Sequence, residues 1–151
     1  MIFQKILSNQ ILVSAVTGWL VAQVLKTILD FALNKSFSAE RLVGSGGMPS
    51  SHSATVCAMA TSAVLCYGVS SNEFAFSFVL ASVVMYDAIG VRRETGKQAK
   101  LLNMIMQQDL FKMNAVEFQE KLKEFVGHTP LQVLAGAILG IGLALVVDMA
   151  Y

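Results

Sequence analysis

The chain has 151 residues and a formal net charge of +1; it is 55% hydrophobic and only 14% charged, with a mean hydropathy of +0.62. Soluble domains carry about 25% charged residues, so this deficit excludes an ordinary water-soluble domain and points to a membrane protein. A balance so near neutrality gives no reason to expect a nucleic-acid partner. The length suits a single domain, residues 1–151, and there is no internal repeat or low-complexity tract.

A membrane-spanning helix needs about 20 mostly apolar residues. The first candidate runs from Ile11 to Leu33 and is interrupted by Gln23, Lys26 and Asp30, which share one face. No small-residue cleavage site follows Lys5, so this segment is expected to remain in the protein as a helix. Lys26 lies roughly 10 Å from the end of the span. It has three outlets: snorkelling to the interface, pairing with Asp30 one turn on, or reaching an anion bound at the membrane edge.

Gly44 to Gly47 is a loop by composition. The stretch GMPSSHSA follows, where Pro49 suits a first helical position and Ser50 or Ser51 a cap. The second span, Ser53 to Val69, is short and rich in Ala, Ser and Thr. It holds both cysteines, Cys57 and Cys66, about two and a half turns apart. That is too far to bridge, and both are read as small apolar fillers.

The third span runs from about Phe74 to Val91 and carries one charge, Asp87. An ionisable group inside a span usually faces the protein interior or a wet cavity. Asp87, Glu94 and Gln98 share one helical face if the helix continues. Arg92 and Arg93 follow at the edge, either as stop-transfer charges or as planar forks for a phosphate. The polar stretch Arg92 to Gly127 comes next; Leu122, Phe125 and Val126 recur in it at helical spacing, which predicts an amphipathic helix there. The fourth span is Leu131 to Val147, where Gly136 and Gly140 form a pair suited to close helix packing, within the chain or between copies. The fold class is therefore all-α: a membrane helical bundle of about four spans plus an amphipathic helix.

Four spans give the bundle two ends. One receives only Lys5 of the basic residues. The other receives Lys35, Arg41, Arg92, Arg93, Lys97, Lys100, Lys112, Lys121 and Lys123. Positive residues favour the cytoplasmic side, so a multi-pass protein of the cell membrane is expected, with its basic end in the cytoplasm.

The only two histidines, His52 and His128, lie at that end, each at the start of a membrane helix. One such histidine alone reads as an interfacial residue. Two in the same setting favour a site. Thr129 and Pro130 supply a cap and a first helical position before the fourth span, as the serines and Pro49 do before the second. Helix starts expose unpaired N–H groups and favour anions. Gly46 and Gly47 would let backbone amides approach such an anion.

These residues resemble a known family. MPSSHSA is similar to the Pro-Ser-Gly-His motif of the type 2 phosphatidic acid phosphatase superfamily, which also contains the vanadium haloperoxidases. GHTPLQVLAGAILG is similar to the third motif of that superfamily. The order and spacing, with YDAIGVRRETGKQA between, resemble a divergent subfamily of small membrane proteins. The resemblance implies that His128 is the nucleophile that becomes a phosphohistidine, and that His52 is the acid that protonates the leaving alcohol. It implies that Ser51 and the amides of Gly46 and Gly47 hold phosphate oxygens. Where the superfamily has an aspartate four residues after the nucleophile, this chain has Gln132. The superfamily's first motif, a lysine followed by Arg-Pro, and its Ser-Arg pair have no counterpart around Lys35, Arg41 or Lys121 to Lys123. Lys26, Arg41, Arg92 and Arg93 are the candidate phosphate clamps, with Asp87 and Gln132 in support. Phosphoryl transfer asks mainly for positioning and charge neutralisation, and the sequence has no metal-ligand spacing, so no metal or cofactor is expected.

Two functions of different class follow. One is hydrolysis of a membrane lipid phosphate or pyrophosphate. The other is a non-catalytic membrane protein that binds or moves phospholipid, or assembles with a partner, a second copy included.

Overall fold

A computed structural model describes residues 2–34, 47–107 and 128–151. Among them every regular element is helical: α1 (Ile2–Leu7), α2 (Gln10–Asn34), α3 (Ser51–Tyr67), α4 (Asn72–Ile89), α5 (Val91–Gln107) and α6 (Pro130–Asp148). The predicted helix around Leu122, Phe125 and Val126 lies outside the described residues. The amphipathic helix that is described, α5, comes earlier in that polar stretch.

Among the described residues three stretches are long and apolar enough to cross a membrane: Gln10–Ala32, Asn72–Ile105 and Pro130–Asp148. The second expected span became α3, and it differs from the rest. Its 17 residues reach about 25 Å, short of the roughly 30 Å hydrocarbon layer. It is also the inner helix, packed against α2, α4 and α6. Ser51, Ser53, Ala54, Val56, Cys57, Ala58, Ala60, Ser62 and Ala63 are all buried. Small side chains are what such a position demands, because they let three neighbours approach at once. The same small side chains lower its hydropathy.

The registers follow from individual contacts. Lys26 of α2 meets Ser51, and Gly18 meets Ala54 and Ala58, so α2 runs antiparallel to α3. Cys57 Sγ lies 3.7 Å from Met85 Sδ, and Val56 and Ala60 cluster with Ala81, so α4 is antiparallel to it as well. α6 runs parallel to α3, because Gly136 lies on the Ser50 carbonyl and Gly140 on the Ala54 carbonyl. A Cβ at either glycine would overlap that oxygen. The small-residue pair is thus used within the chain. At the far end of the bundle Gln10 Nε2 donates to Asp148 Oδ1 at 2.6 Å, and the Tyr151 hydroxyl donates to the Leu7 carbonyl. These contacts join the start of α2 to the end of α6.

Three local expectations need correction. Pro49 precedes the N-cap Ser50 and is not the first helical residue; α3 begins at Ser51. Asp87, Glu94 and Gln98 do not continue on one helix, because α4 ends at Gly90, whose N–H donates to the Tyr86 carbonyl. Glu94 pairs instead with Lys97 at 2.6 Å on the exposed surface of α5. Both cysteines are free, but only Cys57 is a buried filler, whereas Cys66 is exposed.

The packing predicts a sharp contrast between glycines of one helix. Gly136→Leu or Gly140→Leu should cost about 1–3 kcal/mol or more by overpacking, read as a lower unfolding temperature in detergent. Gly142→Ala meets nothing within 4 Å and should leave that temperature unchanged. Equal behaviour of all three would contradict the α3–α6 contact.

Candidate functional site

The site is built where the starts of α3 and α6 meet. Ser50 caps α3: its side chain accepts from Ser53 N–H. Thr129 caps α6 in a reciprocal capping box with Gln132, and Pro130 takes the first helical position. The two caps are joined, because Ser50 N–H donates to the Gln132 carbonyl at 3.0 Å. Two parallel helix starts therefore lie side by side, and their positive dipole ends reinforce each other.

His128 is placed by its own backbone. Its N–H donates to the Ala88 carbonyl at the end of α4, at 3.0 Å, and the residue is 3% exposed. His52, in the first turn of α3, is half-buried. The two ring centroids are 6.0 Å apart and inclined at 59°. Residues 76 positions apart in sequence thus share one small region, on the scale of a single phosphoryl group between two nitrogens.

Gln132 faces Nδ1 of His128. Its Oε1 accepts the Thr129 N–H at 3.0 Å, which identifies that atom as the amide oxygen. The same oxygen lies 3.4 Å from His128 Nδ1. An amide oxygen can only accept, so this contact calls for a proton on Nδ1. The residue in the place of the superfamily's aspartate still orients the ring, but brings no negative charge.

Lys26 supplies the cation. It is 2% exposed, and its Nζ donates to Gln23 Oε1 at 2.7 Å and to Ser51 Oγ at 3.3 Å. Being buried, it does not snorkel to the interface; its Nζ lies against Ser51, one residue from His52. Gly47, at φ +83°, packs against its stem, where a Cβ would stand 3.0 Å from Lys26 Cγ. Gly47 is thus held by close approach to the lysine as well as by a left-handed backbone.

The remaining candidates divide. Asp87 is half-buried and adjoins Ala88, whose carbonyl holds His128. Arg92 and Arg93 are in the first turn of α5; their side chains, with Gly46 and Arg41, lie outside the described residues. Among the described residues there is no cluster of three or more metal-ligand side chains. Gln23 and the Ala88 carbonyl were not foreseen as parts of the site. Gln23 was legible, since it shares the Lys26 face three residues away. The carbonyl was not, because nothing in the sequence marks which backbone oxygen a distant N–H will find.

With this geometry in view, comparison with known proteins is decisive for family. Residues 7–143 match the family described as the Divergent PAP2 family. The chain belongs to that family. It is also 38% identical, over 151 aligned residues, to the "Uncharacterized membrane protein YuiD" of Bacillus subtilis (strain 168), with 94% of this chain and 96% of the relative covered. No solved structure matches it. Membership of the Divergent PAP2 family and the three long apolar helices together make this a multi-pass membrane protein.

The tautomer is testable directly. In protein labelled with 15N-histidine, above the imidazole pKa, His128 should show a protonated Nδ1 and an unprotonated Nε2. Gln132→Leu should abolish that preference. A wild-type His128 protonated at Nε2 would contradict the assignment.

Proposed function

We propose that this Divergent PAP2 protein hydrolyses a membrane lipid phosphate or pyrophosphate, with His128 as nucleophile and His52 as acid and base. The pairing of the two imidazoles at joined helix starts, beside a buried lysine, supports this most directly. His128 Nε2 attacks phosphorus, the P–O bond to the leaving group breaks, and the His52 imidazolium delivers its proton to the departing oxygen. Water then attacks the phosphohistidine. Neutral His52 takes the water's proton, the N–P bond breaks, and inorganic phosphate leaves.

Each residue has a task in this sequence. Lys26 and the two helix starts offset charge on the phosphoryl oxygens, the main requirement of phosphoryl transfer. Ser51, already within reach of Lys26 Nζ, offers its hydroxyl and amide to an oxygen. Gln132 orients the ring through Nδ1. Arg41, Arg92 and Arg93 are further clamps of the proposal, and the Gly46 and Gly47 amides further donors. The excess of basic residues at this end supports a cytoplasmic site.

Phosphate release by purified protein from a panel of lipid phosphates and pyrophosphates tests the proposal. Wild type should turn over at least one substrate. His128→Ala should abolish release. His52→Ala should lower kcat by about 10²–10⁴-fold, and Lys26→Met should weaken both kcat and kcat/KM. No release from any substrate, with every variant monodisperse, would reject hydrolysis and leave a phosphate-binding membrane protein. The neutral Gln132 opposite His128 would fit that outcome.

A further inference from the structure

Two side-chain amides hold functional groups of the site. Gln132 Oε1 faces His128 Nδ1, and Gln23 Oε1 accepts from Lys26 Nζ at 2.7 Å. The second contact is the shorter, and it lies inside the bundle: Gln23 is 7% exposed, Lys26 2% and Ser51 5%.

The helix explains this geometry. Gln23 and Lys26 are three residues apart on α2 and share a face. Helical side chains lean toward the start of their helix. For Lys26 that direction leads away from the near membrane edge and into the span. An ammonium led among apolar groups needs an acceptor, and Gln23 Oε1 stands where it is needed, about one turn earlier. From there Nζ also reaches Ser51 Oγ on α3 at 3.3 Å. Gln23, Lys26 and Ser51 thus form a line across the α2–α3 contact that ends one residue from His52. Ser51 receives the lysine through a lone pair, which leaves its hydroxyl proton for another acceptor.

The chemical type of the first link matters. A carboxylate at position 23 would orient the ammonium equally well, but it would also offset the ammonium charge, and strongly so at such a distance inside a protein. An amide oxygen orients without neutralising. Resting on the phosphate reading of the histidine pair, we propose that Gln23 positions Lys26 for the bound phosphate, and that its neutrality directs the lysine's charge to the ligand. Gln23 is a positioning residue: it acts on the anion through Lys26 and Ser51 and touches no reacting atom.

Calorimetric binding of inorganic phosphate to the full chain in detergent tests this, for wild type, Gln23→Leu, Gln23→Glu, Lys26→Met and the double variant Gln23→Leu/Lys26→Met. Gln23→Leu should weaken phosphate binding by about tenfold. Gln23→Glu keeps an acceptor for Lys26, yet should weaken binding at least as much. Were the amide merely structural, glutamate would replace it without loss of affinity. The double variant should bind no more weakly than Lys26→Met, since Gln23 acts through the lysine. That cycle decides the matter by itself where the glutamate variant does not fold. Wild-type affinity in Gln23→Glu, additive losses in the double variant, or no phosphate binding by wild type would each overturn the proposal. Hydrolysis of the lipid phosphate panel by the same proteins separates it from the phosphatase reading. The expected binding pattern without hydrolysis would keep Gln23 as the positioning residue and remove the phosphatase. Hydrolysis that His128→Ala abolishes, with phosphate binding insensitive to both Gln23 variants, would keep the phosphatase and remove the role of Gln23.

Discussion

Gly136 and Gly140 let the backbone of α6 come down onto the carbonyl oxygens of Ser50 and Ala54, and the rest of the structure is arranged around that approach. Two parallel helices cannot pack this closely with ordinary side chains between them. In register, they bring their starts together, so that the Ser50 N–H reaches the Gln132 carbonyl. The chain thereby sets two positive dipole ends, two imidazoles and the buried Lys26 at one end of the bundle.

Much of the fold was legible in the sequence, and for physical reasons. Long apolar runs had to become membrane helices, and the polar punctuation around Ser50, Thr129 and Pro130 had to start two of them. The Gly136 and Gly140 pair announced close packing, although only the structure assigns its partner as α3. What was less legible came from tertiary context. α3 reads as a weak span because its small residues serve three neighbours. The continuity of Asp87 with Glu94 failed because a single Gly90 ends α4. Lys26 had three physical fates, and only its burial in the folded bundle removes snorkelling from them. The same holds for the site: two histidines 76 residues apart were legible as a pair by their similar settings, but the Ala88 carbonyl that holds one of them was not.

Gln132 sets the chemical character of the centre. A carboxylate at that position would both orient the ring of His128 and stabilise its positive charge. The amide does the first, through Oε1, and cannot do the second. It also belongs to the capping box of α6, so one side chain ties the helix start, the tautomer and, through its backbone, the cap of α3. On the phosphatase reading proposed above, the missing negative charge favours hold on a dianionic phosphate over support for a phosphorylated imidazole, and slow turnover with tight phosphate binding is the expected balance.

The measurement that bears most directly on this account is detection of the covalent intermediate. Protein mixed with a 32P-labelled lipid phosphate, quenched in alkali and digested, should carry the label on the peptide containing His128. The label should be stable to base and lost in acid. Sustained turnover with no phosphoryl group on His128, or with the label on another residue, would contradict it.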